Sequence, residues 1–363
     1  MSTSRIPCLD GIRCIAVAFV LLAHCNGTRY FTLPGRLGDL LHVGNLGVRI
    51  FFVLSGFLIT TLLLQEREKY GQISLKNFYI RRTIRIFPAL YFFVACVVTA
   101  NSFGWIQLSF SDVLHSLTYT MNYHYDRGWE VGHLWSLAVE EQFYLLWPIA
   151  LIFFGNRRGL WFALGVVVAV PIIRVLTWEF FPSQRPGIGE SFQTVCDALA
   201  TGCLLAGLRH YWGAPKIKDR CIGGVWVPLI AFGVLTLNYF SSYISISYTV
   251  GTTLMNFVIA LLIDWAIRNP ETRTGHVLNS RIFAYLGALS YSLYLWQQPF
   301  LNRASESILC AFPLNIILAF AAAIFSYHLV EQPFLGLRTK FRKPEPLGTI
   351  KREQVAASEP EPS

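Results

Sequence analysis

Arginine and histidine side chains stand near the two ends of the apolar stretch LDGIRCIAVAFVLLAH, which begins at Leu9. Arg13 and His24 are eleven positions apart, roughly 16 Å along a helix axis, and no charged residue lies between them. A guanidinium binds anions, and an imidazole titrates near neutral pH and can act as a general base. The pair therefore favours an anion-binding group and a base at two depths of one segment. The alternative is an arginine that anchors the helix end and a histidine that is satisfied at the membrane interface.

A cluster of arginines lies in the stretch FYIRRTIRIFPALY, where Arg81, Arg82 and Arg85 are close in sequence. In a helix, Arg85 is three and four positions from the other two and would share a face with them. Three cations pressed together repel one another unless an anion, such as a lipid phosphate or a ligand phosphate, balances them. The cluster predicts a phosphate site at the cytoplasmic entry of a helix. Anchoring of that helix end in the membrane is the alternative.

The stretch HLWSLAVEEQFYLLWP has four polar residues that share one helical face, because they are spaced by three, four and four positions. They are His133, Ser136, Glu140 and Tyr144. An ionisable group inside a bilayer costs roughly 2.5–3.5 kcal/mol on insertion scales. Glu140 therefore needs a partner, for which His24, His133 or an arginine would serve. A structural Glu–Arg pair is the alternative to a catalytic role.

Small residues interrupt the bulky stretch GNLGVRIFFVLSGFLITTLLL, namely Gly47, Ser55 and Gly56. Close packing against another helix is the favoured interpretation, because small residues let helix backbones approach each other. The alternative is a surface along which a narrow ligand passes. Asp197 and Glu331, which also lie in apolar runs, are predicted to have structural roles.

The composition indicates a polytopic membrane protein. Of the 363 residues, 54% are hydrophobic and 14% are charged, whereas a soluble domain carries about 25% charge. The net charge is +9, but the basic residues lie in short runs between apolar segments, which fits cytoplasmic loops better than nucleic-acid binding. The eight cysteines are scattered without a metal or redox spacing, so no metal is predicted. The first apolar run is interpreted as a retained helix, because His24 stands where a signal peptide requires a small residue.

Apolar runs near the roughly 20 residues that a bilayer requires predict an all-α polytopic protein with about ten transmembrane helices. They cover residues 12–25, 48–64, 84–101, 133–154, 160–179, 193–208, 222–239, 249–267, 283–302 and 311–331. With both termini in the cytoplasm, most lysines and arginines fall on the inner side, as the positive-inside rule requires.

Two stretches are not predicted to span the membrane. FSDVLHSLTYTM, residues 110–121, is too short and too polar, and is predicted to form a re-entrant or interfacial helix. Residues 335–363 are rich in Pro, Glu and Ser towards the end, and are predicted to form a largely disordered cytoplasmic tail. Residues 1–334 would then form one membrane-embedded domain.

Six stretches, taken in order, resemble the motifs of the membrane-bound acyltransferase family 3, whose members O-acylate bacterial surface polysaccharides and related acceptors. They are LDGIRCIAVAFVLLAH, GVRIFFVLSGFLI, FYIRRTIRIFPALY, HLWSLAVEEQFYLLWP, SYSLYLWQQPF and YHLVEQPF. Each motif is weak alone, but the six stand in the family's order and extend over the chain to about Phe334. The resemblance implies a ten-span acyltransferase that takes an acyl group, commonly acetyl, from cytoplasmic acyl-CoA.

The resemblance also assigns roles at the donor side. Arg13 and His24 match the family's essential Arg-x10-His pair, and Arg82 and Arg85 match its arginine motif at the donor entry. Together with Arg81, these arginines are predicted to hold the nucleotide phosphates of CoA. Acetyl-CoA or another acyl-CoA is therefore the expected donor.

Glu140 and Tyr144 match the family's glutamate and tyrosine of the fourth span. The thin pantetheine arm of the donor would lie along the small residues, including Ser55, and would bring the thioester near His24. An acceptor hydroxyl activated by His24 would then attack the thioester carbonyl, with Arg13 orienting the donor. Glu140 is predicted to orient or charge-stabilise His24, as the third group of a catalytic triad does.

One position departs from the family. A histidine usually follows the tryptophan of SYSLYLW, and Gln297 stands there in this chain. Glutamine cannot act as an acid or a base, so only a hydrogen-bonding role is left. The hydrolase-like domain that some members append is not expected, so the membrane domain would act alone or pass its product to another protein.

The expected partners are a carbohydrate or glycolipid acceptor and the lipid bilayer, with no nucleic acid; a homodimer stays open. The resemblance implies the cytoplasmic membrane of a bacterium. Two other functions are compatible with intramembrane arginine, histidine and glutamate. One is a non-enzymatic carrier of a lipid-linked sugar or small anion, and the other is a structural subunit of a polysaccharide assembly complex.

Overall fold

A computed structural model describes residues 7–34, 43–213 and 250–337, with three residue pairs between 229 and 237. Helices dominate these ranges, and no β-strand occurs in them beyond an isolated bridge between Thr28 and Phe31. The all-α class is thereby confirmed. Most of the predicted span 222–239 and the tail from residue 338 lie outside the described residues.

The α-helices of the described ranges are numbered here in chain order. They are α1 (Pro7–Cys25), α2 (Val43–Tyr70), α3 (Leu75–Ser102), α4 (Phe110–Leu117), α5 (Trp129–Gly132), α6 (Leu134–Phe154), α7 (Asn156–Phe180), α8 (Phe192–Val195), α9 (Asp197–Trp212), α10 (Thr252–Arg268), α11 (Arg273–Leu278), α12 (Arg281–Phe300), α13 (Leu314–Ser326) and α14 (Gln332–Leu337). A π-helical turn, Tyr327–Glu331, connects α13 to α14.

Six helical segments of the described chain are long and apolar enough to cross a membrane: Cys8–Cys25, Gly44–Tyr70, Leu75–Ser102, Trp129–Phe154, Asn156–Phe180 and Leu314–Leu337. The predicted spans 193–208, 249–267 and 283–302 also coincide with helices, α9, α10 and α12, but these are not among the six. The total of ten spans and the cytoplasmic termini stay predictions. The stretch 110–121 contains the eight-residue helix α4, which is too short to span a bilayer.

The small residues of α2 bring this helix into close contact with its neighbours α1 and α9. A Cβ atom at Gly47 would overlap the carbonyl oxygen of Ala16 in α1, and one at Gly56 would overlap the carbonyl oxygen of Leu199 in α9. The favoured interpretation, close helix packing, is confirmed at both glycines. The alternative, a ligand groove along them, is wrong there, because neighbouring backbone fills the space.

The packing at Gly56 allows a stability prediction. Gly56→Ala is expected to destabilise the protein by about 2 kcal/mol, because overpacked sites force neighbouring backbone to move. Gly165→Ala is the matched control, since a Cβ atom at that helical glycine would meet no atom within 4 Å. Thermal unfolding in detergent should show a lower midpoint for Gly56→Ala alone. Equal midpoints for both variants would contradict the close contact.

Asp197, at the start of α9, has the structural role that was expected. Its carboxylate forms an ion pair with Arg174 of α7 at 2.6 Å, and both side chains are buried. It also accepts a hydrogen bond from the Thr253 hydroxyl at 2.6 Å, while Arg174 donates to the Thr252 hydroxyl. Removal of one partner from such a pair leaves a buried charge uncompensated. The cluster therefore fixes α7, α9 and α10 relative to one another.

Candidate active site

A cavity of about 730 Å³, including its open mouth, lies between α1, α2, α3, α6 and α12, and is called here the arginine chamber. Apolar residues of α2 and α3 form part of its wall. Its polar lining consists of Arg13, Ser55, Arg82, Arg85, Ser136, Glu140, Glu141, Tyr144, Ser290, Tyr291 and Tyr294. Every predicted site residue except His24 and Arg81 is in this lining.

A hydrogen-bonded cluster joins α2 and α6 in the arginine chamber. The Ser55 hydroxyl donates to Glu140 Oε1 at 2.9 Å, and the Tyr144 hydroxyl donates to Glu140 Oε2 at 3.0 Å. The guanidinium of Arg82, in α3, lies 4.7 Å from the centre of the Tyr144 ring, within the range of a cation–π contact. Glu140 is thus held by its neighbours inside the chamber, with arginines close by.

Arg81 is separated from the other two arginines by the geometry of α3. Its guanidinium pairs with Glu66 of α2 at 3.1 Å, whereas Arg82 and Arg85 line the arginine chamber. Adjacent residues of a helix point about 100° apart, and here this offset directs Arg81 towards Glu66 and Arg82 into the cavity. Arg81 was predicted to bind the donor together with Arg82 and Arg85, but the structure pairs it with Glu66 and does not bring it into the chamber with the other two.

The arginine chamber contains more positive than negative side chains. Arg13, Arg82 and Arg85 face two carboxyl groups, those of Glu140 and Glu141. Glu141 follows Glu140 directly on α6 and points about 100° away from it, but the chamber is wide enough to include both side chains. Three cations around one cavity are suited to bind a ligand with several phosphate groups.

A second cavity, of about 1310 Å³ including its open mouth, is called here the histidine chamber. It is lined by the ends of α1 and α12, by the beginnings of α2 and α6, by α5 and by the segments before α5 and α8. Its aromatic and charged lining consists of His24, Tyr125, Arg127, Trp129, His133, Trp135, Glu190, Tyr294 and Arg303. A large cavity with several aromatic side chains and a few polar groups is typical of a binding site for an organic ligand.

His24 is held at the last turn of α1. Its imidazole Nδ1 lies 2.8 Å from Oε1 of Gln297 in α12, and its ring forms an edge-to-face contact with Trp129, with the ring centres 5.8 Å apart. Arg303 donates to the carbonyl oxygens of Ala23 and His24, which closes the end of the helix. The hydrogen-bonding role left open for Gln297 is therefore confirmed.

The position of Trp129 depends on Asp112 of α4. The Asp112 carboxylate accepts hydrogen bonds from the backbone N–H of Ser109 at 2.9 Å and of Gly128 at 3.0 Å, and from His124 Nε2 at 3.1 Å. Burial acts to raise the pKa of Asp112, but these bonds and the Ser109 hydroxyl outweigh it and hold the pKa below its usual value. Asp112 thereby anchors Gly128, the residue immediately before Trp129.

An ion pair in the lining of the histidine chamber was not predicted. Arg127 donates to Glu190 Oε2 at 2.6 Å, and Arg127 also donates to the carbonyl oxygen of His124. The two ionised residues are 63 positions apart, so no local spacing signals the contact. Their pairing ties the segment before α5 to the segment before α8.

The two chambers meet at Val48 and Tyr294, which line both. The Tyr294 hydroxyl donates to the carbonyl oxygen of His133 at 2.9 Å and lies 2.6 Å from the Ser136 hydroxyl, so its ring is fixed against α6. A thin ligand in the arginine chamber would have to pass these two side chains to reach His24.

The predicted contact of Glu140 with His24 is wrong. Glu140 lies in the arginine chamber and bonds to Ser55 and Tyr144, whereas His24 lies in the histidine chamber and bonds to Gln297. His133 lines the histidine chamber together with His24, and Glu140 lies seven positions further along the chain, or about 10 Å along α6. Glu140 is therefore at the depth of the arginines and not at that of His24.

Comparison with known proteins identifies the family. The family described as "Acyltransferase domain", acyltransferase family 3, matches residues 6–329. The chain belongs to this family, which confirms the resemblance found in its motifs.

Several relatives carry names that state an activity. The peptidoglycan O-acetyltransferase OatA of Listeria monocytogenes is 27% identical over 370 residues, which cover 94% of this chain and 56% of the relative. The O-acetyltransferase OatA of Staphylococcus aureus is 26% identical, with 92% and 57% covered. A putative O-acetyltransferase of the same species is 29% identical, with 91% and 57% covered. The chain thus spans little more than half the length of these relatives. No solved structure matches it.

Proposed function

We propose that this chain is an O-acetyltransferase that carries an acetyl group across the membrane. Acetyl-CoA would bind from the cytoplasm, and the acceptor would be a hydroxyl of a carbohydrate or glycolipid on the outer side. One observation carries the proposal: a chamber with three arginines and a chamber with His24 meet at Val48 and Tyr294. Family membership and the printed names of the relatives support the reaction class.

The arginine chamber is the proposed site of the donor. Arg82 and Arg85 would contact the phosphates of CoA, because guanidinium groups form charge-assisted hydrogen bonds with phosphate oxygens. Arg13, on α1, would orient the part of the donor that lies in the arginine chamber. The cluster of Ser55, Glu140 and Tyr144 would shape the wall past which the pantetheine arm extends.

The histidine chamber is the proposed site of the chemistry. His24 would remove the proton of the acceptor hydroxyl as its oxygen attacks the carbonyl carbon of the thioester. The carbon–sulfur bond would then break and the ester would form. The proton held by His24 would pass to the departing sulfur, so that free CoA thiol leaves and the imidazole is neutral again.

The acceptor would occupy the wider part of the histidine chamber. Trp129, Trp135 and Tyr125 offer aromatic faces and edges to a sugar ring, and the pair Arg127–Glu190 offers charged hydrogen-bonding groups. One of the relatives is named for peptidoglycan. Peptidoglycan fragments are therefore the first acceptors to test.

The proposal includes a topology. The membrane domain would be residues 1–334 with ten spans, both termini would be cytoplasmic, and the tail from residue 335 would stay in the cytoplasm. The cell envelope of a bacterium would be the setting, with the protein in its cytoplasmic membrane. The placement of most lysines and arginines on one side supports this arrangement.

Turnover of acetyl-CoA separates an acetyltransferase from the alternative, a carrier. Purified protein in nanodiscs would be given acetyl-CoA labelled in the acetyl group and soluble peptidoglycan fragments. We expect free thiol to appear in step with label bound to the fragments as an alkali-labile ester, and neither product with empty nanodiscs. Fragments that bind while acetyl-CoA stays intact would contradict the proposal and favour the carrier.

A further inference from the structure

Two adjacent glutamines connect His24 to the backbone of α5 by a chain of hydrogen bonds. His24 Nδ1 lies 2.8 Å from Gln297 Oε1, and Gln297 Nε2 donates to Gln298 Oε1 at 3.1 Å. Gln298 Nε2 in turn donates to the carbonyl oxygen of Trp129 at 2.9 Å. Both glutamine side chains are buried, with 0% and 5% of their surface exposed, so water does not compete for these bonds.

The carbonyl oxygen of Trp129 is the last acceptor in this series of hydrogen bonds, and it sets the direction of all of them. A backbone carbonyl can only accept, so the Gln298 atom that faces Trp129 must be the amide nitrogen. The Gln298 oxygen then faces Gln297 and must accept a hydrogen bond from the Gln297 amide nitrogen. The Gln297 oxygen is left to face His24, and an amide oxygen can only accept as well. Nδ1 of His24 must therefore carry a hydrogen.

A further hydrogen bond stabilises this arrangement from the opposite direction. The indole Nε1 of Trp129 donates to the backbone carbonyl of Gln298 at 3.0 Å. Trp129 and Gln298 thus exchange two hydrogen bonds, and α5 is fixed against α12. Rotation of the Gln298 amide would bring its oxygen against the Trp129 carbonyl and would leave both acceptors unsatisfied in a buried place, which is costly.

We infer that Gln297 and Gln298 form a relay that keeps His24 in the Nδ1–H tautomer and so leaves Nε2 free of a proton to act as the base. Gln297 is then a positioning residue, and it does for His24 what had been expected of Glu140. The inference rests on the proposed function for its catalytic consequence, but the tautomer itself does not depend on any activity.

The tautomer can be read directly from the ¹⁵N resonances of the imidazole. Protein with ¹⁵N-labelled histidine would be placed in nanodiscs, and the His24 signals would be assigned by their loss in His24→Ala. We expect the Nδ1–H form in the wild type. Gln297→Leu removes the acceptor and should give a mixture of both tautomers. Gln297→Glu retains an acceptor and should keep the Nδ1–H form.

Activity supplies a second and graded readout. Gln297→Leu is expected to lower kcat about 10²-fold, the lower end of what a general base contributes, with little change in KM for acetyl-CoA because the donor site lies in the other chamber. Gln298→Leu keeps the acceptor at Gln297 but lets its amide rotate, so a smaller loss is expected. Gln142→Leu is the matched control, since Gln142 also bonds to an amide, of Asn122, and to a carbonyl, of Tyr119, outside both chambers.

The outcomes separate the relay from the proposed function. An Nε2–H form of His24 in the wild type, or an unchanged tautomer in Gln297→Leu, would overturn the relay. Equal losses of kcat in Gln297→Leu and in the control Gln142→Leu would overturn the positioning role. Full activity of His24→Ala beside the expected tautomers would remove the proposed base and leave the relay standing.

Discussion

His24→Ala is expected to reduce acetyl transfer about 10³-fold while the protein stays folded and still binds acetyl-CoA. The size of the loss follows from the contribution of a general base to catalysis, about 10²–10⁴-fold. Retained donor binding follows from the structure, because His24 lies in the histidine chamber and the arginines lie in the arginine chamber. Release of free thiol and binding of CoA to protein in nanodiscs would be measured side by side.

His276→Ala is the matched control for this experiment. His276 is an exposed histidine of α11 that lines neither chamber, so its loss should change neither rate nor binding. A mutant His24→Ala that releases thiol at the wild-type rate would remove His24 as the base and leave the fold and the donor site intact. A mutant that no longer binds CoA would show that His24 acts on the donor and not on the acceptor.

Helix geometry alone separated Arg13 from His24, and this part of the site could be predicted from the sequence. Eleven positions of a continuous helix fix the distance between two side chains whatever surrounds them. The structure describes α1 as unbroken from Pro7 to Cys25 and places the two residues in different chambers. A second general rule, that small residues mark close contacts between helices, correctly predicted the packing at Gly47 and Gly56.

Contacts between distant segments were beyond sequence reasoning. A carboxylate near a histidine is a familiar catalytic arrangement, and it led to a predicted contact of Glu140 with His24 that the structure does not contain. The actual partner, Gln297, is 273 positions from His24. Arg81 was assigned with its neighbours because spacing in α3 cannot show that Glu66, on another helix, is within 3.1 Å. The spacing of residues in the sequence shows which of them share a helix face, but not which residues of other helices that face contacts.

Arg82→Ala and Arg85→Ala are each expected to raise KM and the dissociation constant for acetyl-CoA by about 10–100-fold. A hydrogen bond to a charged group contributes about 1.5–3 kcal/mol, and each tenfold change in affinity corresponds to about 1.4 kcal/mol. Both arginines line the arginine chamber, where burial limits the screening of charge by water. Initial rates at varied donor concentration and direct binding of CoA would give the two values.

An acetyl donor that lacks the nucleotide tests whether Arg82 and Arg85 bind the phosphates of CoA. Acetyl-pantetheine has the same thioester but no phosphates, so wild-type protein should use it with a much higher KM than acetyl-CoA. Arg82→Ala and Arg85→Ala should leave KM for acetyl-pantetheine nearly unchanged and thus lose most of the preference for acetyl-CoA. Losses of the same size for both donors would mean that the arginines support the chamber and do not bind phosphate.

Arg81→Ala tests whether the loss of any positive charge near the chamber would raise KM for acetyl-CoA as Arg82→Ala and Arg85→Ala are expected to do. It removes one charge from the same turn of α3, but its guanidinium pairs with Glu66 and does not line the chamber. KM for acetyl-CoA should therefore stay within about twofold of the wild type, since an ion pair that is partly exposed contributes little. If Arg81→Ala raised KM for acetyl-CoA as much as Arg82→Ala does, the phosphates would bind outside the chamber, at the membrane surface. Only there could a ligand contact all three arginines equally.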